Sequence, residues 1–227
     1  LALVLAFALA LPASAMTGNS NEPAHYVSIG DSLAAGMIHD SSISKGFSGI
    51  LAERLKEDEL LASYNNDFGI PGATTTRILE ALEKNIAPPL PTAKEDLNIE
   101  SVIKRADVIT ISIGANDILS KVKFDPVTQK LEYDLLSVSA TITETGKNVT
   151  QILQKIKALN PQADVFVMGL YNPFPTMVTE AFILNMMVDR VESEFKKAAE
   201  ENDYYFVSVK EAMGKNSAEY LPNPANI

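Results

Sequence analysis

Cysteine is absent from the 227 residues, and histidine occurs twice, as His25 and His39. Without a thiol there can be no disulfide framework, zinc ribbon, iron-sulfur cluster or cysteine nucleophile. Two imidazoles are too few for a His-rich metal site, and no metal or other cofactor is expected. Positive charge is scarce too: 19 Lys and Arg face 29 Asp and Glu, a formal net charge of -10. That sign repels a phosphate backbone, so nucleic acid is not expected as a partner. What the chain does have is 46% hydrophobic and 21% charged residues. This balance excludes a disordered or collagen-like polymer and suits one globular domain of generous size.

The longest apolar run, LALVLAFALAL at residues 1–11, is too short to span a bilayer and leads into Pro12-Ala13-Ser14-Ala15, a small-x-small cleavage pattern. We read residues 1–15 as a secretory signal peptide cut after Ala15, residues 16–24 (MTGNSNEPA) as a polar linker, and residues 25–227 as the domain. A secreted or envelope protein with no stable membrane span after cleavage is the expectation. The first residue is Leu and no basic segment precedes the run, so the sequence is expected to start part-way through the gene product. Its tail, LPNPANI at residues 221–227, stops without a helix or stop signal and reads as a second truncation.

Residues 26–29 form a short strand-like run ending at Gly30, and residues 106–113 (ADVITISI) form a β-branched run of the kind buried on both faces of a parallel sheet. Residues 164–169 and 204–209 repeat the theme, and the polar segment 63–68 reads as an edge strand. Helical patterns lie between them at 46–57, 75–85, 137–159 and 176–200. The alternation predicts a three-layer α/β/α sandwich around a mostly parallel five-stranded sheet with right-handed crossovers.

In an open sheet of this kind, ligands bind beyond the carboxyl ends of the strands. Three of those ends are loaded: Gly30-Asp31-Ser32-Leu33, the stretch around Gly69-Ile70-Pro71-Gly72-Ala73-Thr74, and Gly114-Ala115-Asn116-Asp117. Together they offer what acyl transfer needs: a hydroxyl on a tight turn, a glycine whose N–H can be approached closely, and an amide able to donate to an oxyanion. Singly, each has an ordinary reading as a surface turn, a tight turn or a helix N-cap.

In this order, and at successive strand ends, the three segments resemble the blocks of the SGNH superfamily of GDSL-type serine hydrolases. Tyr171-Asn172-Pro173-Phe174 is similar to its secreted bacterial lipase and acylhydrolase branch. The resemblance implies a flavodoxin-like fold with Ser32 as nucleophile. It further implies an oxyanion hole formed by the N–H groups of Ser32 and Gly72 and the Asn116 amide, supported by Gly30, Asp31, Gly114 and Asp117. The Gly-x-Ser-x-Gly elbow of α/β-hydrolases is missing, because Ala34 stands two residues after Ser32.

A serine hydroxyl needs a base, usually a His oriented by a carboxylate. The family supplies both from an Asp-x-x-His block near the carboxyl terminus, and this sequence has none. His25 precedes the first strand and Ser32 follows it, which puts them on the order of 20 Å apart at opposite sheet edges. His39 would share the face of Ser32 on a continuous helix, but Gly36 and the polar residues 40–44 favour a loop. The base is therefore expected beyond Ile227, and residues 223–227 resemble the run-up to it. A strict spacing would place the acid at Ala225, so the acid remains unassigned.

On the helix at 176–200, Met177, Ala181, Leu184, Val188, Val191, Phe195 and Ala198 make an ordinary core stripe. Phe182, Ile183, Met186 and Met187 fall off it, and we take these four as candidates for an acyl-chain wall. Asn148-Val149-Thr150 matches a glycosylation sequon but sits on an expected helix and reads as incidental. The functional expectation is a serine esterase acting on a small-molecule or lipid ester. A binding module that lacks a base, or an acyltransferase using the same serine, is the alternative.

Overall fold

The computed structural model describes residues 22–38, 41–88, 98–125, 130–173 and 178–214. In chain order the elements are β1 (Ala24–Gly30), α1 (Gly46–Glu57), β2 (Leu61–Gly69), α2 (Thr75–Lys84), α3 (Ile99–Arg105), β3 (Val108–Ser112) and α4 (Ala115–Leu119). There follow β4 (Val122–Asp125), β5 (Lys130–Tyr133), α5 (Leu135–Leu159), β6 (Asp164–Met168), α6 (Val178–Glu201), β7 (Tyr205–Val207) and α7 (Val209–Met213). Five strands form one sheet in the order β2-β1-β3-β6-β7, and every pairing in it is parallel. This is the flavodoxin-like order, with the chain reversing direction across the sheet between β1 and β3. The polar strand β2 is an edge, as its composition predicts.

The two faces follow from the side-chain period of two. Val27, Ile29, Ile109, Ile111, Val165 and Val167 point to one face, where α2, α3, α5 and α6 cover them with Ile78, Ile103, Ile152 and Phe195. Tyr26, Phe166, Met168 and Val207 point to the other, against Leu51 and Leu55 of α1 and Met213 of α7. Each large aliphatic side chain so buried contributes about 1.5–3 kcal/mol. The second face also carries hydroxyls, and they satisfy one another: Tyr26 Oη lies 2.9 Å from Thr110 Oγ1, which donates to Ser28 Oγ at 3.2 Å.

Helix starts are set by local caps. Thr74, Asn98, Asp134 and Ser208 each accept a backbone N–H from the first turn of α2, α3, α5 and α7. Four features have no counterpart in the sequence reading: the short helices α3, α4 and α7, and the antiparallel hairpin of β4 and β5. The hairpin pairs Lys123 with Glu132 and Asp125 with Lys130, which gives it one charged face, while Leu131 on the opposite face is buried in the core. The expected signal peptide, most of the linker, His39, Phe174, Met177 and the tail from 215 lie outside the described residues.

Candidate active site

Gly30 closes β1 with φ of 143°, and a Cβ there would lie 1.8 Å from the Ser112 carbonyl oxygen, so only glycine lets the chain turn this close to β3. Asp31 follows, 2% exposed, its N–H donating to Ser112 O at 2.9 Å. Its Oδ1 accepts the Leu33 N–H at 3.0 Å and the Ser112 hydroxyl at 3.4 Å. These bonds fix the turn that presents half-buried Ser32, whose carbonyl accepts Met37 N–H at 2.9 Å.

The second segment is tied to the first where Ile70 N–H donates to Gly30 O at 2.8 Å and Asn66 Nδ2 to Ala35 O at 3.0 Å. Gly72 is exposed at φ of 77°, with no atom within 4 Å of where a Cβ would stand. The third segment reaches the second through Asn116 Nδ2, which donates to Ala73 O at 2.9 Å. Gly114, not Asn116, is the N-cap of α4, so the cap reading of Asn116 does not apply. Asp117 receives both the N–H (3.0 Å) and the hydroxyl (2.6 Å) of Thr75 at the start of α2. Ser32, Gly72 and Asn116 are therefore carried by three segments bonded to one another at the carboxyl edge of the sheet.

One residue of this assembly escaped the sequence reading. Asn148 of α5, 8% exposed, donates to Thr75 Oγ1 at 2.9 Å, and the Thr75 hydroxyl in turn donates to Asp117. The sequon is thus a buried positioning group. Asn148→Ala is expected to lower kcat about tenfold at nearly unchanged KM on a soluble nitrophenyl ester, and to cost about 1 kcal/mol of stability. Loss of stability with kcat intact would make the bond purely structural.

Burial dominates the titration of Asp31 and pushes its carboxyl up to about 6, against the opposing pull of the Leu33 N–H and the Ser112 hydroxyl. Tyr171, after β6, is raised by burial and then by the nearby Asp31 charge. The folded state therefore favours the neutral acid: its contribution to stability is whole below the unfolded value of 3.8 and is lost as pH rises through about 6. Asp31→Asn, which keeps the acceptor for Leu33, should stabilise the protein by up to about 2 kcal/mol near pH 8 and not at all near pH 4. Urea unfolding at the two pH values measures it; destabilisation near pH 8 would show that the ionised carboxylate is needed.

A cavity of about 110 Å³ adjoins the first and third segments. Its lining includes Leu33 and Ala115, chain neighbours of Ser32 and Asn116, together with Ser112, Tyr171 and Leu184, Met187, Val188 and Val191 of α6. Of the four acyl-wall candidates only Met187 lines it. Ile183 packs against the main core, and Phe182 and Met186 face solvent at 73% and 56% exposure. Beside Met187, the cavity is lined by Leu184, Val188 and Val191, three residues of the stripe read as ordinary core.

His25 sits at the entry of β1, its Nδ1 2.7 Å from Ser63 Oγ and its N–H bonded to Asp107, at the sheet edge opposite Ser32. Met37 and Ile43 pair as an isolated antiparallel bridge, so no helix continues from Ser32 past Met37. Among the described residues no three His, Asp or Glu side chains converge as a metal site would.

The chain is similar to several known proteins. The family model for the GDSL-like Lipase/Acylhydrolase family matches residues 28–225. The uncharacterized protein YpmR of Bacillus subtilis is 24% identical over 174 residues, 74% of this chain and 61% of that protein. The spore germination lipase LipC of Bacillus licheniformis is 28% identical over 159 residues, 67% of this chain and 66% of that protein. The matches thus span just under two thirds of each relative's length. The crystal structure of the lipase Lip_vut3 from a goat rumen metagenome shares the fold with a TM-score of 0.66 at 24% identity, covering 87% of this chain and 86% of that one. With the family model matching nearly the whole described domain, the chain belongs to the GDSL-like lipase/acylhydrolase family.

Proposed function

We propose that the chain is a secreted serine esterase in which Ser32 attacks the carbonyl of a carboxylic ester and forms an acyl-serine intermediate. The base takes the Ser32 proton and returns it to the departing alcohol, and water then releases the acid. The N–H groups of Ser32 and Gly72 and the free N–H of Asn116 Nδ2 receive the oxyanion. The apolar cavity takes the acyl end of the substrate, with room for a few methylenes.

The observation that carries this reading is the pair of bonds joining the three segments, Ile70 N–H to Gly30 O and Asn116 Nδ2 to Ala73 O. They hold a hydroxyl, an exposed glycine and a donor amide at one edge, with open space over Gly72 for a substrate. His25 is excluded as the base by its place at the opposite edge. Apart from His25 the described residues hold no His, so this reading takes its base from outside them.

The test is labelling with a fluorophosphonate followed by peptide mapping. Modification at Ser32 supports the assignment, and modification at Ser28 or Ser42 overturns it. The position of His25 also gives weight to a second reading, a module that binds esters without turning them over. Saturable ester binding with neither labelling nor hydrolysis in the gene product would establish that one.

A further inference from the structure

Six large hydrophobic side chains are exposed among the described residues, and four of them, Leu135, Leu136, Phe182 and Met186, lie near the amino ends of α5 and α6. The two helices run side by side in one direction, and their register is fixed by Arg190 Nη2 donating to Thr143 Oγ1 at 3.5 Å and by Gly146 packing on Glu194. Two turns back from Thr143 and Arg190 stand Leu135 and Phe182. The four side chains therefore share one end of the α5–α6 seam.

That end overhangs the active edge. Helix α5 has 25 residues, about 37 Å, against about 17 Å for the 5 residues of β3. Its carboxyl end is pinned level with the amino edge of the sheet by Asn160 Nδ2, which donates to the Ile103 and Ala106 carbonyls. The excess length must then project past the carboxyl edge. In agreement, Gly114, just after β3, packs on Thr145 and Phe195, ten residues into α5 from Leu135 and thirteen into α6 from Phe182. The apolar tip accordingly stands roughly 15–20 Å beyond the strand ends. The cavity and the tip share α6: Leu184 and Met187 face in, Phe182 and Met186 face out.

We propose that this tip docks the protein on the surface of a neutral or zwitterionic lipid assembly, orienting the active edge toward it. The inference goes beyond the esterase reading and does not depend on Ser32. The four side chains expose roughly 500 Å², short of the ~800 Å² per partner of a stable protein interface but enough for a shallow interfacial contact. The net charge of -10 argues against an anionic surface. No helix among the described residues is long and apolar enough to cross a membrane, so the contact is at the surface.

The test is flotation with phosphatidylcholine vesicles at physiological ionic strength. Wild type and Ser32→Ala should bind alike, which separates this proposal from the catalytic one. The pairs Leu135→Ser/Leu136→Ser and Phe182→Ser/Met186→Ser should each lower the partition coefficient at least about tenfold, with melting temperatures held because the side chains are exposed. The leucine pair should hydrolyse a soluble nitrophenyl ester at the wild-type rate. Absence of wild-type binding, or equal binding by the variants, overturns the proposal. So does a dimer in light scattering that the same substitutions dissociate, because the tip would then be a contact between copies.

Discussion

Ser32→Ala is expected to abolish ester hydrolysis, with a fall in kcat of at least about 10³-fold. A large effect is expected because in the proposed mechanism the hydroxyl is the attacking atom, and what remains without it is ground-state binding and the oxyanion donors. Those donors are held by bonds that do not involve the Ser32 side chain: Asp31 to Ser112 and Leu33, and Asn116 to Ala73. The variant should therefore fold and bind substrate normally, so an unchanged KM-like affinity for a slow ester is part of the expected result. Activity within tenfold of wild type would remove Ser32 from the mechanism. His25→Ala in the same protein should leave the rate unchanged, because that ring is bonded to Ser63 at the far edge.

Asn116→Ala should lower kcat by roughly 10²- to 10³-fold with little change in KM, since its amide meets charge that develops only in the transition state. An amide nitrogen carries two N–H donors. One of them is committed to the Ala73 carbonyl at 2.9 Å, which leaves one for the oxyanion. Loss of the side chain thus removes a donor and also frees the loop that carries Gly72. Asn116→Asp is expected to be worse than alanine, because a carboxylate would face both the Ala73 carbonyl and the oxyanion. Steady-state kinetics on a soluble ester with all three proteins would settle the order; equal activity of Asn116→Ala and wild type would leave Asn116 as a loop clamp.

The patterns that depend on near neighbours were readable in the sequence. The runs at 106–113 and 164–169 read as buried strands, the polar residues at 63–68 read as an edge, and the glycines at strand ends marked tight turns. These features place Ser32, Gly72 and Asn116 at three strand ends, because side-chain period and turn chemistry are local properties. What was not local was decided by tertiary contacts. The hairpin of β4 and β5 is too short and charged to announce itself, and it exists because Leu131 finds the core. Asn148 is an unremarkable helical residue until α5 packs on α2 and brings Thr75, 73 positions away, within 2.9 Å. Helix α6 is apolar around a wide arc near its start, and its sequence cannot say which part faces in. The packing of α5 turns Leu184, Met187 and Val188 toward the cavity and leaves Phe182 and Met186 in solvent, since a helix buries the face its neighbours reach.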